Sequence, residues 1–154
     1  MAVQKGDPAP PISLPAKPGE VVEARIGQDK VVLLFFPLAF TGVCTQEMCD
    51  ITAGLSAYAD LNAAVVGISV DSPFSQEAWA QKENIGITLA SDLNKTTAKD
   101  YDVLLDDLLG FGSTAARAAF VIDKDGVVQY SEQTPTPKDL PNFEAVQAKL
   151  AELK

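Results

Sequence analysis

Two cysteines are the residues of this sequence best suited to chemistry. Cys44 follows a long apolar run and opens a segment with helical spacing, so its thiol is expected at the start of a helix. A helix N-terminus carries partial positive charge and unpaired N–H groups, and both favour a thiolate over a thiol. Cys44 is therefore a candidate nucleophile, and the alternative is a small residue of the core. Cys49 lies five residues further on.

The sequence contains no histidine, which limits how such a thiol is activated. Cys–His and Ser–His catalysis are excluded, together with nearly all zinc sites. Activation must come from arginine, lysine, a helix terminus or backbone donors. The only arginines are Arg25 and Arg117. Arg117 precedes an apolar strand pattern and could reach the thiolate across the end of a sheet, whereas the alternative is a solvated strand terminus.

Three further residues near Cys44 have suitable types and spacing. Pro37 cannot donate a hydrogen bond and could shield the sulfur. Thr41 stands three residues before Cys44 and can turn its hydroxyl towards sulfur or substrate. Glu47 stands three residues after it, on the same helix face, and could orient an arginine. Each also has a simpler interpretation, as a strand end, a helix cap or a carboxylate favoured by the helix dipole.

Apolar periodicity predicts alternating strands and helices that would position these residues. Strands are predicted at 12–14, 21–24, 31–36, 64–70, 86–90, 117–122 and 127–130. Helices are predicted at 44–58, 73–83, 94–101 and 142–152. Residues 104–114 are predicted to form a loop. Residues 6–19, with five of the ten prolines, are predicted to form an extended arm across the domain.

This order of elements predicts an α/β protein with one domain over residues 1–154. Alternation of strands and helices requires a central sheet with helices on its faces. The closing hairpin, with its turn at 123–126, and the last helix favour one fold within this class: a thioredoxin-like fold with a mixed central sheet and a proline-rich N-terminal extension. Cys44 would then lie outside the carboxyl ends of the strands, where such sheets place reacting groups.

Charge and composition restrict the possible partners and location. The net charge is −9, which excludes nucleic acid as an expected partner because phosphate binding requires clusters of Lys and Arg. No run of about 18 apolar residues exists, so no membrane span is expected. The N-terminus lacks the apolar region of a secretory signal, and two cysteines are too few for a secreted disulfide scaffold. A cytoplasmic protein is expected.

Beyond these single residues, the sequence resembles the peroxiredoxins. The residues Pro37, Thr41 and Cys44 match the active-site pattern Pro-x-x-x-Thr-x-x-Cys of that family. Further blocks similar to peroxiredoxin segments follow in order along nearly the whole chain, at 6–10, 69–73, 89–92 and 117–126.

The resemblance implies a role for each matching residue. Cys44 would be the peroxidatic thiolate, oxidised to a sulfenic acid by hydrogen peroxide or an organic hydroperoxide. Thr41 and Arg117 would bind and polarise the peroxide. Pro37 would shield the sulfenate, and Glu47 would hold Arg117. No metal, haem or flavin cofactor would be needed, in agreement with the missing histidines.

The role of Cys49 stays open. Its spacing from Cys44 resembles the bacterioferritin-comigratory, or peroxiredoxin Q, subgroup, in which a second helical cysteine resolves the sulfenic acid and thioredoxin or a similar thiol reductant recycles the disulfide. Residues five apart in an intact helix have Cα atoms about 8–9 Å apart, whereas a disulfide needs about 4.4–6.8 Å, so the first turn would have to unwind. The context around Thr41 also resembles one-cysteine, AhpE-like enzymes, in which an external thiol would act and Cys49 would pack in the core.

Two other functions remain as alternatives. A thioredoxin-like disulfide oxidoreductase would favour a Cys-x-x-Cys spacing, which this sequence lacks. A non-catalytic binding or holdase module could use the same fold with both cysteines structural. The protein is expected as a monomer or homodimer, with Phe40 or Leu108 either at a dimer face or in the core.

Overall fold

The structure is a computed structural model that describes residues 3–16, 19–24 and 26–153. Pro18 of the predicted arm, and Arg25, lie outside the described residues. The strands are β1 (Ser13–Pro15), β2 (Val21–Glu23), β3 (Lys30–Phe35), β4 (Ala63–Ser69), β5 (Thr88–Ser91), β6 (Leu104–Leu105), β7 (Thr114–Ala115), β8 (Ala118–Ile122) and β9 (Val128–Gln133). The helices are α1 (Gly42–Ala53), α2 (Leu55–Asp60), α3 (Pro73–Glu83), α4 (Thr96–Asp100) and α5 (Phe143–Glu152).

Five strands form a mixed central sheet in the order β5-β4-β3-β8-β9. Strands β3, β4 and β5 are parallel, whereas β8 is antiparallel to β3, and β9 to β8. The predicted α/β architecture with a mixed sheet is confirmed. Since β3 is the central strand, the segment that follows it leaves the sheet at the carboxyl end of the middle strand.

Strand β3 supplies apolar side chains to both faces of the sheet, because successive residues of a strand point in opposite directions. Val31, Leu33 and Phe35 belong to a buried cluster shared with β1 and α4. Val32 and Leu34 belong to a second cluster, shared with α1, α3 and α5. Helices therefore cover both faces, as predicted. Within the part of the chain that the structure describes, no helix is both long and apolar enough to span a membrane.

The N-terminal arm lies against the β8–β9 turn. The amide of Ala9 donates to the carbonyl of Gly126 at 2.9 Å, and the amide of Val128 donates to the carbonyl of Asp7 at 2.9 Å. The hydroxyl of Tyr101 donates to the carbonyl of Pro10 at 2.6 Å. These bonds hold a proline-rich segment that forms little regular structure of its own.

Several predicted boundaries differ from the structure. The single helix predicted at 44–58 is two helices, because Gly54 ends α1 with a non-helical backbone (φ −100°, ψ 13°) and glycine has low helix propensity. The predicted loop 104–114 contributes β6 and the start of β7, which pair with each other. Strand β8 begins at Ala118, so Arg117 precedes the strand and does not open it.

Phe120 on β8 allows a direct test of this core. Its ring is fully buried and packs against the rings of Phe35 and Tyr101 at centroid distances of 5.7 Å and 5.2 Å. We predict that Phe120→Ala lowers the free energy of unfolding by about 3–5 kcal/mol, measured by urea denaturation. The matched control is Phe111→Ala, where the side chain is 75% exposed. It should change stability by less than about 0.5 kcal/mol, and an equal loss in both variants would contradict the fold.

Candidate active site

Cys44 lies in the first turn of α1, directly after the turn that follows β3. Helix α1 begins at Gly42, and Thr41 is its N-cap residue with an extended backbone (φ −85°, ψ 154°). The Cys44 side chain is fully buried. The first amide groups of a helix have no intrahelical acceptor, and together with the helix dipole they place partial positive charge around this thiol.

Strand pairing brings Arg117 to the same point. Because β8 runs antiparallel to β3, with Ala118 opposite Phe35, the residue before β8 lies beside the end of β3. From there the Nη2 of Arg117 donates to the Sγ of Cys44 at 3.0 Å. Arg117 is only 2% exposed, so the alternative of a solvated strand terminus is wrong.

The other two nitrogen atoms of the guanidinium also donate hydrogen bonds. Nη1 of Arg117 donates to Oε1 of Glu47 at 2.6 Å, and Nε donates to the carbonyl oxygen of Pro137 at 3.0 Å. Glu47 lies one turn after Cys44 on α1 and is fully buried. The guanidinium therefore joins the thiol, the carboxylate and the segment before α5 in one fixed arrangement.

Burial changes the acidity of Glu47. Loss of water around the carboxyl raises its pKa from the ordinary value of 4.5 to about 7, although the charge and hydrogen bond of Arg117 lower it. Its second oxygen, Oε2, is buried and has no hydrogen-bond partner among the described residues. When Glu47 is protonated, the charge of Arg117 is no longer balanced on that side.

Thr41 and Pro37 belong to the turn that leads into α1. The hydroxyl of Thr41 is exposed and donates to the carbonyl oxygen of Leu38 at 2.7 Å. Its hydrogen is therefore used within the turn and does not point at the sulfur, while the oxygen keeps lone pairs able to accept a hydrogen bond. Thr41 does not bond α1 through its side chain, so it is not an ordinary side-chain cap. Pro37 is buried just after β3.

Cys49 is separated from this cluster by the intact helix. Both cysteines are free, and α1 continues through the two positions. The Sγ of Cys49 lies 3.9 Å from the carbonyl oxygen of Glu83 at the end of α3. Burial, followed by the nearby charges of Glu83 and Asp50, raises the pKa of the Cys49 thiol. The thiol is partly exposed, so it is not a fully buried core residue.

Two contacts of the site were not predicted from the sequence. The indole N–H of the fully buried Trp79 donates to Oγ1 of Thr45 at 3.0 Å, which connects α3 to the first turn of α1. A buried tryptophan usually finds an acceptor, but the sequence does not indicate which one. The carbonyl of Pro137 likewise has no sequence signal. Among the described residues, no group of three or more His, Cys, Asp or Glu side chains could hold a metal ion.

Comparison with known proteins identifies the family of this chain. Residues 5–131 match the model of the AhpC/TSA family. The chain belongs to the AhpC/TSA family of peroxiredoxins. The crystal structure of peroxidoxin BcpB from Mycobacterium tuberculosis is similar, with a TM-score of 0.86, 28% identity and 99% of each chain covered. This likeness confirms the predicted thioredoxin-like fold.

Two curated relatives extend the comparison. The chloroplastic 2-Cys peroxiredoxin BAS1 of Spinacia oleracea is 39% identical over 113 residues, which cover 69% of this chain and 41% of the relative. The mitochondrial thioredoxin-dependent peroxide reductase of Rattus norvegicus is 37% identical over 129 residues, which cover 77% of this chain and 49% of the relative. The chain thus spans less than half the length of these relatives.

The raised pKa of Glu47 predicts a pH-dependent stability. Between pH 4.5 and 7 the folded protein keeps a proton on Glu47 that the unfolded chain has lost, so the free energy of unfolding falls as the pH rises. Glu47→Gln removes this titration. We predict that the stability of the wild type relative to Glu47→Gln declines by up to about 3 kcal/mol across that window, measured by urea unfolding at several pH values. A difference that does not change with pH would contradict the assignment.

Proposed function

We propose that this peroxiredoxin is a thiol-dependent peroxidase that reduces hydrogen peroxide and organic hydroperoxides to water or alcohol through a sulfenic acid at Cys44. The observation that carries the proposal is the 3.0 Å contact between Nη2 of the buried Arg117 and Sγ of Cys44. A cation at this distance favours the thiolate, which is the nucleophilic form of cysteine.

In the proposed reaction the Cys44 thiolate attacks one peroxide oxygen. The S–O bond forms as the O–O bond breaks, so sulfur is oxidised by two electrons and the peroxide is reduced. The departing oxygen leaves as water or alcohol after it takes up a proton. Negative charge moves from sulfur to this oxygen, and fixed donors aimed at it would lower the barrier. Arg117 and the first amides of α1 would supply these donors.

Thr41 and Pro37 would complete the peroxide site. Since the Thr41 hydroxyl gives its hydrogen to Leu38, its oxygen would accept the O–H of the bound peroxide and orient it. Pro37 has no N–H and would keep competing donors away from the sulfenate. Glu47 would fix the orientation of Arg117 through their 2.6 Å bond.

We propose that Cys49 attacks the sulfenic acid and forms an intramolecular disulfide with Cys44. Cys44 is fully buried and α1 is intact, so the first turn of the helix must unwind before the sulfur atoms meet. Thioredoxin or a similar thiol would then reduce the disulfide, a proposal supported by the name of the rat relative. We also propose a cytoplasmic location, where thioredoxin and glutathione keep thiols reduced.

A one-cysteine cycle is the second candidate. The raised pKa of Cys49 lowers its thiolate fraction at neutral pH, which makes it a slower attacking thiol. In this cycle an external thiol would resolve Cys44, and Cys49 would remain reduced. The protein is predicted to be a monomer or a homodimer. Phe40 is 52% exposed and would be available for a dimer face, whereas Leu108 is partly buried.

The essential thiol can be tested by substitution. We predict that Cys44→Ser abolishes peroxide consumption with dithiothreitol as reductant, because a serine hydroxyl is not ionised at neutral pH. The matched control, Cys49→Ser, should still consume one peroxide per protein in the absence of reductant. Peroxide consumption by Cys44→Ser at the wild-type rate would exclude the proposed nucleophile.

Intact mass distinguishes the two cycles. After one equivalent of hydrogen peroxide, the wild type should lose two hydrogen atoms through disulfide formation, whereas Cys49→Ser should gain one oxygen. Unwinding should also change the fluorescence of Trp79, the only tryptophan, whose indole bonds the first turn of α1. A wild type that gains one oxygen and keeps it would instead establish the one-cysteine cycle.

A further inference from the structure

The turn between β3 and α1 contains a strained residue. Phe40 has a φ of 67°, in the left-handed region that bulky side chains rarely adopt. Such a conformation costs on the order of 1–3 kcal/mol and persists only where the surrounding structure holds it. The Phe40 ring is 52% exposed and faces the ring of Trp79 at a centroid distance of 6.4 Å, so packing holds it only in part.

The carboxylate of Asp71, which is not part of this turn, accepts a hydrogen bond from the turn's backbone. The amide of Ala39, the residue before Phe40, donates to Oδ2 of Asp71 at 2.8 Å. Asp71 lies shortly after β4, the parallel neighbour of β3, so both segments emerge at the same edge of the sheet. Within the turn, the Thr41 hydroxyl adds its bond to the carbonyl of Leu38.

Asp71 is itself fixed by a buried network at the carboxyl ends of β4 and β5. The hydroxyl of Ser69 donates to Oδ2 of Asp71 at 2.7 Å, and that of Ser91 donates to the Asp71 carbonyl at 2.5 Å. The side-chain Nε2 of Gln76 donates to Oγ of Ser69 and to the carbonyl of Ala90, each at 2.9 Å. Ser69, Gln76 and Ser91 are all at least 98% buried. The carboxylate therefore has little freedom to move away from the turn.

We propose that Asp71 is a positioning residue for peroxide reduction, which holds the 38–41 turn so that the oxygen of Thr41 meets the bound peroxide. This role rests on the proposed peroxidase function. Asp71 is not required to touch the peroxide: it acts through the backbone of Ala39 and hence through Thr41.

The bonds of Asp71 and the contacts among Arg117, Glu47 and Cys44 involve different elements of the fold. Arg117 reaches Cys44 from the position before β8, and Glu47 reaches Arg117 from α1, whereas Asp71 accepts a bond from the turn before α1. Loss of the Asp71 carboxylate should therefore disturb the alignment of peroxide without removing the cation beside the thiol. A misplacement of about 1 Å can lower a rate about 100-fold.

Asp71→Ala tests this separation through two reactions of the same thiol. We expect the second-order rate constant with hydrogen peroxide to fall about 10- to 100-fold. Alkylation of Cys44 by iodoacetamide, which needs the thiolate but no peroxide alignment, should stay within about two-fold of the wild type. Asp71→Asn should recover most of the peroxide rate, because one amide oxygen can accept both bonds that Oδ2 accepts.

Ser72→Ala is the matched control for a general loss of stability. Oγ of Ser72 caps α3 by accepting from the amide of Ser75 at 3.1 Å, and its hydroxyl donates to Oγ of Ser75 at 3.2 Å, so both bonds stay within α3 and its cap. Its loss should cost about 1 kcal/mol of stability and leave the peroxide rate unchanged.

Three outcomes would overturn the positioning role. In the first, Asp71→Ala reacts with peroxide as fast as the wild type. In the second, its peroxide and alkylation rates fall together, as expected for a merely structural residue. In the third, the wild type is alkylated but inert to peroxide, which would remove the peroxidase function as well, so the two failures are distinguishable.

Discussion

A single buried guanidinium, that of Arg117, is the constraint on which the rest of the site depends. An unpaired charge inside a protein costs several kcal/mol, so each of the three guanidinium nitrogen atoms needs a hydrogen-bond partner. The structure provides Cys44, Glu47 and the carbonyl of Pro137 at distances of 3.0 Å or less. Cys44 and Glu47 come from α1 and the Pro137 carbonyl from the segment before α5, and the antiparallel pairing of β3 with β8 brings Arg117 to them.

This arrangement leaves the carboxyl group of Glu47 poorly solvated. Glu47 is buried with one oxygen unpartnered among the described residues, and burial raises its pKa to about 7. Burial favours the protonated form of this carboxyl, whereas the charge and the hydrogen bond of Arg117 favour the carboxylate.

The sequence predicted the site better than it predicted the contacts that support it. Alternating apolar segments predicted the mixed sheet, and the missing histidines left Arg117 as the obvious cation, because only two arginines exist. The carbonyl of Pro137 and the bond from Ala39 to Asp71 were not predicted, since both join residues distant in sequence that only the folded sheet brings together. The break at Gly54 was missed because apolar spacing continues across it.

The proposed peroxidase reaction depends on activation of Cys44 by Arg117, which Glu47 holds in place. Arg117→Met combined with Glu47→Gln tests it most directly, because the double variant removes both charges and leaves neither one buried alone. The measurement is the second-order rate constant of Cys44 with hydrogen peroxide, by stopped-flow, in variants with unchanged Trp79 fluorescence. The predicted result is a loss of about 100- to 1,000-fold. A rate constant within a few-fold of the wild type would contradict the claim.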